Sequence, residues 1–197
     1  METLCELTSK CLIALFTVTS LLSCNEPTEG NVRLAAEGGC IHRFFDTSPI
    51  SPSGKYIALF RFPYENHSPR PGDRGEVFVQ DLESGKVLFS TGTCGWEMQL
   101  GANVQWGKSD EELFYNDIDT TTWEAYAVRL NFMTGEKKRC ASTVFMVSPD
   151  GDKLLSYDLR RSRFAQVGYG VIVPDSIAKR NIGRMTNKGF EVQLSWA

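Results

Sequence analysis

Histidine is almost missing from this 197-residue chain: His42 and His67 are the only two. So few imidazoles leave little material for histidine metal centres or imidazole acid–base catalysis. The six cysteines, Cys5, Cys11, Cys24, Cys40, Cys94 and Cys140, contain no CxxC pair and no regular spacing. That argues against a zinc site or a disulfide framework. A basic excess is lacking too. With 21 Lys and Arg against 24 Asp and Glu the net charge is −3, which gives a nucleic-acid backbone no electrostatic footprint. No GxSxG, Walker-type or HExxH motif occurs, so these nucleophile, phosphate-cradle and zinc-hydrolase signatures are absent. What is left, 42% hydrophobic and 23% charged, is ordinary globular composition, and disorder is not indicated.

What is present is a repeated unit. SPSGKYIALF at 51–60 returns as SPDGDKLLSY at 148–157, with WGKSDEELFY at 106–115 as a degraded copy between them. Each joins a polar turn, with Pro and Gly in the two outer copies, to an apolar strand. Taking Ser51, Gly107 and Ser148 as equivalent, the spacings are 56 and 41 residues. The second fits one propeller blade of roughly 40–45 residues. The first is a blade carrying an insertion, PYENHSPRPGDRG at 63–75, whose three prolines cannot continue a central strand.

Strands are expected at 55–62, 76–82, 86–93, 103–106, 112–118, 125–131, 136–141, 143–147, 153–159 and 166–173, with hairpin turns at ESG 83–85 and MTG 133–135. The fold class is therefore all-β: a partial β-propeller of two to three four-stranded antiparallel blades, after an N-terminal signal helix. Closure takes four to eight blades. An open stack leaves apolar surface and unpaired edges, which favour self-association.

Residues 11–22, CLIALFTVTSLL, are too short to span a bilayer at ~20 residues but suit the apolar region of an export signal. The run ends in LLSC, residues 21–24, which resembles the lipobox of bacterial lipoproteins. That resemblance implies cleavage before Cys24 and lipidation of its thiol. Glu2 and Glu6 against Lys10 depart from the usual positive start, and a buried N-terminal helix is the other reading. The expected divisions are a signal peptide at 1–23, a linker at 24–39, the incomplete propeller at 40–175 and a tail at 176–197. The location implied is the bacterial cell envelope, lipid-anchored, in the periplasm or at the outer membrane.

The repeated SP[SD]G turn and strand resemble the TolB-type propeller repeat, found also beside prolyl peptidase domains. Residues 40–60, CIHRFFDTSPISPSGKYIALF, are similar to the opening blade of oligogalacturonate lyases, which cleave pectin fragments by β-elimination. In that family the manganese ligands and catalytic histidine lie in later blades, and no residue here corresponds to them because the last histidine is His67. The resemblance implies a carbohydrate context without a catalytic set. In the tail, NIGRMTNKGFEVQLSW at 181–196 places Phe190, Val192, Leu194 and Trp196 opposite Glu191, Gln193 and Ser195, the alternation of a transmembrane barrel strand. It resembles a strand of SusC-type TonB-dependent receptors, which points to a chimaeric or truncated reading frame; an edge strand pairing with the open propeller is the other reading.

Candidate ligand-binding residues are His42 and Arg43, placed before the first blade strand where an Arg fork suits a uronate carboxylate, and Trp96 and Trp123, whose flat faces suit sugar stacking. Trp106 belongs with these. For each the alternative is a packing or solvated role. The basic run Arg160, Arg161 and Arg163 suits either an anionic glycan or a solvated hairpin tip. Asp117 with Asp119, and Asp150 with Asp152, lack the ligand count of a calcium site and read as turn residues. No catalytic residue, metal or cofactor is expected. The function implied is a non-catalytic envelope module that binds an acidic oligosaccharide or an envelope protein; the alternative is the N-terminal part of an oligogalacturonate lyase-like enzyme.

Overall fold

A computed structural model describes residues 35–166 and 168–178 of the chain. The described part is mostly β, with three antiparallel sheets and two one-turn helices. The first sheet joins β1 (Cys40–Ile41), β2 (Tyr56–Arg61), β3 (Gly75–Asp81) and β4 (Val87–Thr93) in sequence order. The second repeats that order with β5 (Gln105–Trp106), β6 (Leu113–Ile118), β7 (Ala125–Asn131) and β8 (Glu136–Arg139). The third has only β9 (Met146–Val147) and β10 (Leu154–Leu155). Helices α1 (Ser162–Ala165) and α2 (Asp175–Ala178) follow.

The period-2 pattern of the strands decides what packs where. In β2, Ala58 and Phe60 face one way and Ile57 and Leu59 the other, and all four are buried. Ala58 and Phe60, with their β3 partners Val79 and Val77, meet Leu113, Tyr115, Val128 and Leu130 of the second sheet in the main core. At roughly 1.5–3 kcal/mol for each fully buried large apolar side chain, this inter-sheet layer is the chief stabilising element. The opposite face of the second sheet gives Phe114 and Ala127 to Val144, Val147 and Leu154 of the third region. Ile57, Leu59 and Phe78, on the far face of the first sheet, pack against Ala35 and Ala36, and Gln80 Nε2 donates to the Ala35 carbonyl at 2.6 Å.

The repeated turn is one hydrogen-bonded device used three times. The amides of Ser51, Gly107 and Ser148 each donate to the carbonyl five residues on, at 2.9, 2.7 and 2.9 Å, which establishes the three positions as equivalent. Gly54 and Gly151 hold φ of +78° and +74°, the left-handed region where glycine is unhindered. Ser51 and Ser148 Oγ accept the amides of Tyr56 and Lys153. In the middle copy the Glu112 carboxylate instead accepts the Lys108 amide at 3.0 Å. Successive turns also touch: Ser53 N donates to Asp110 at 3.0 Å, and Lys108 pairs with Asp152 at 3.4 Å.

Two expectations are corrected. The third sheet has two strands where three, at 143–147, 153–159 and 166–173, are expected, and the strand expected at 153–159 stops at Leu155. Asp158 is the reason. Its carboxylate accepts the amides of Arg160 and Arg161 and its carbonyl that of Ser162, turning the chain into α1. No strand forms at 166–173 either among its described residues: Gly168 and Gly170 hold φ of +90° and +79°. The signal-like segment, Cys24 and residues 179–197 lie outside the described residues. Among those described, no helix is long and apolar enough to cross a membrane.

Candidate functional site

The chain at the β1 edge of the first sheet makes a detour. Ile41 pairs with Phe60, Pro49 accepts the Ala58 amide and Ile50 bridges Ile57. Residues 42–48 thus leave the sheet and return beside the same short stretch of β2. Loops carried on a rigid scaffold are where binding groups concentrate. This excursion carries Arg43, whose side chain is fully buried, and Phe45, which is 97% exposed.

Three regions converge on Arg43. Its Nη1 donates to Gln105 Oε1 of β5 at 3.0 Å, and its guanidinium lies 4.5 Å from the ring centre of Phe145, just ahead of β9. Gln105 is fully used: Oε1 also accepts the Val147 amide, and Nε2 donates to Phe145 and Asn103 oxygens. Within the excursion, Asp46 Oδ2 stands 3.2 Å from Arg43 Nη2. That is ion-pair distance without the alignment of a hydrogen bond, so Nη2 and Nε are both buried without a hydrogen-bond partner. Burial lowers the Arg43 pKa, and the nearby Asp46, Tyr157 and Glu97 charges oppose that shift.

Glu97, in the connector between β4 and β5, is 1% exposed. Its amide donates to the Gly101 carbonyl at 2.9 Å, which fixes the connector. One carboxylate oxygen accepts a hydrogen bond from the Gly170 amide, and the other accepts the Tyr157 hydroxyl at 3.4 Å. Glycine is required at 170, because φ is +79° and a Cβ there would lie 2.4 Å from Arg163 N. Burial raises the Glu97 pKa to about 7, partly offset by these donors and by the Arg43 charge. Burial and the Glu97 charge push the Tyr157 hydroxyl up as well. A carboxyl near neutrality beside a phenol is a feature that clusters at functional sites, although the carboxyl is sealed from solvent.

The sequence-predicted residues scatter around this junction. Arg43 is at its centre, and the adjacent His42 is half-buried. Trp96 is 4% exposed, donates its Nε1 to the Asp73 carbonyl at 2.8 Å and packs on Phe60 and Phe62. It lines, with Phe62, Tyr64, His67 and Met98, a cleft of about 200 Å³. Trp123 is half-buried at φ +59° beside Ile118, Leu159, Val171 and Val173. Trp106 donates to the Pro49 carbonyl at 2.8 Å. Arg160 and Arg161 pair with Asp158, and Arg163 donates to the Val173 carbonyl. Asp119 and Asp150 accept amides in their own turns, and Asp117 accepts from Thr93 and Cys94. No group of three or more metal-ligating side chains forms among the described residues.

Sequence reasoning missed Gln105, Glu97 and Tyr157. Tyr157 ends the third copy of the repeat, where nothing marks its hydroxyl as chemical, Gln105 and Glu97 belong to no motif, and only the fold brings residues 43, 97, 105 and 157 together. No family model, curated protein or solved structure matches the chain.

Proposed function

We propose that the three sheets are consecutive blades of an incomplete β-propeller of the TolB type, and that the chain is a non-catalytic envelope module binding an acidic oligosaccharide. The supporting observation is the row of equivalent turns. Each is bonded to the next in chain order, through Ser53 with Asp110 and Lys108 with Asp152. Such a row is what consecutive blades would give if their innermost strands lay side by side around a propeller axis. Arg43, Gln105 and Phe145 then meet at that axis, and a guanidinium is suited to a uronate. The likeness of residues 40–60 to the opening blade of oligogalacturonate lyases supports the ligand class.

The test is titration of the purified full-length chain with oligogalacturonate, followed by calorimetry. Saturable binding without new ultraviolet absorbance from an unsaturated product is expected. Folded protein that binds none would overturn the reading. New absorbance would instead favour the second reading, part of a lyase, for which the Glu97–Tyr157 pair is the supporting observation.

Anchoring at the envelope belongs to the same proposal and rests on the lipobox-like LLSC at residues 21–24. Palmitate should label the wild-type chain and not Cys24→Ala; equal label on both would reject the anchor. The receptor-like tail is proposed as foreign to the propeller. Ile177 of α2 packs against the Ile118 cluster, so the relevant deletion is 179–197, which should leave melting unchanged.

A further inference from the structure

We propose that the Nε–Nη2 edge of Arg43 is the seat of a ligand carboxylate, which Asp46 holds in the free protein and yields when a uronate binds. This rests on the binding reading above and locates its site. A buried guanidinium whose donors go unused carries a desolvation cost that is recovered only when an acceptor arrives. Of the Arg43 side chain, Nη1 is spent on Gln105 and one face on Phe145, which leaves Nε and Nη2. These N–H groups are parallel and match the two oxygens of one carboxylate, the strongest arrangement open to this side chain.

Asp46 fills that seat poorly. It brings one oxygen, to Nη2 alone, and a third of its side chain remains in solvent. It also lies in the 42–48 excursion, within which Thr47 N donates to the Phe44 carbonyl at 3.3 Å. The Asp46 carboxylate can turn out into solvent at little cost while Arg43 stays fixed to Gln105 and Phe145. Thr47 adds a buried hydroxyl without a hydrogen-bond partner, an available group for a sugar hydroxyl. Glu97, the other carboxyl facing this side chain, is already engaged by the Gly170 amide and the Tyr157 hydroxyl, so it does not compete for the edge.

The experiment follows the Arg43 Nε–H resonance of the full chain during titration with galacturonate, trigalacturonate and methyl-esterified trigalacturonate. The two acids should shift it saturably and the ester should not. In Asp46→Asn, which removes the internal competitor while keeping Arg43, saturation should come at about tenfold lower concentration. Equal titration of Asp46→Asn and wild type, or an equal shift from the ester, would overturn the seat. Calorimetric binding of trigalacturonate that leaves the Nε–H signal unmoved would sink the seat while the binding-module reading stands. A shift from galacturonate with no oligomer binding would keep the seat and remove the oligosaccharide reading. Silence in both measurements rejects both.

Discussion

The second and third sheets begin with the same turn and diverge within six residues. After Gly107, the residues of β6 find β7, and β7 finds β8, so Phe114, Ala127 and Val128 are buried. After Ser148 the turn forms equally well, but β10 pairs only with β9, and Leu155 is left 59% exposed. A turn is a local object, satisfied by its own glycine, serine and backbone. A strand is not, since its edge groups need a neighbour and its faces need a layer on each side. The third region is held largely by what the second lends it. Asn116, for example, uses its side-chain amide both to accept the Val144 amide at 2.8 Å and to donate to the Val144 carbonyl at 2.9 Å, in place of a strand partner.

The strongest way to test this contrast is to charge the core of the complete sheet. Leu113→Asp puts an unpaired carboxylate at a 0% exposed position between the first and second sheets. It should cost more than about 4 kcal/mol or prevent folding; an unchanged melting temperature would show that the inter-sheet layer is not the core.

A second effect comes from pH. The Glu97 carboxyl titrates at about 7 in the folded chain against an ordinary 4.5, so the folded state holds its proton more tightly than the unfolded state. Its contribution is therefore fully present below pH 4.5 and is lost as pH rises through 7. The loss should approach about 3 kcal/mol. Glu97→Gln keeps an acceptor for the Gly170 amide and should flatten denaturant midpoints between pH 5 and 8. A wild-type profile already flat over that range would remove Glu97 as a titrating clamp.

Asn116→Ala should come next, at about 2 kcal/mol, because it leaves the buried Val144 amide without its acceptor and the Val144 carbonyl with Asn103 alone. The loss should appear as faster exchange in the third region, with the first sheet unaffected. Equal loosening of both would mean that the third region is not a separate unit. Least of all, Leu155→Asp should change stability by no more than about 0.5 kcal/mol; a larger loss would show that the β10 edge is covered.

The legible parts of the fold were those decided locally. SPSG and SPDG announce a polar turn with a glycine at positive φ, and the alternation in YIALF announces a strand buried on both faces. Ala125–Asn131 falls where the sequence places it, and most other strands of the first two sheets agree to within one or two residues at each end. The failures lie where a competing local bond wins. Residues 156–159 read as strand, yet the Asp158 carboxylate captures the next amides, and Gly168 and Gly170 look like ordinary strand glycines until their φ is known. Of the candidate site only Arg43 could be picked out, since an arginine just ahead of an expected strand is visible in one dimension. Gln105, Glu97 and Tyr157 were not, because their chemistry comes from convergence across more than 100 residues of chain.

Native-state hydrogen exchange tests the central contrast most directly. If two complete sheets support an incomplete third, the amides of Val77, Phe78 and Tyr115 should exchange only through global unfolding. The Phe145 amide, bonded to the Leu155 carbonyl at 2.7 Å, should exchange through an opening lower by about 2 kcal/mol or more. A single free energy shared by Phe78, Tyr115 and Phe145 would contradict the account, because the third region would then be as firmly built as the other two.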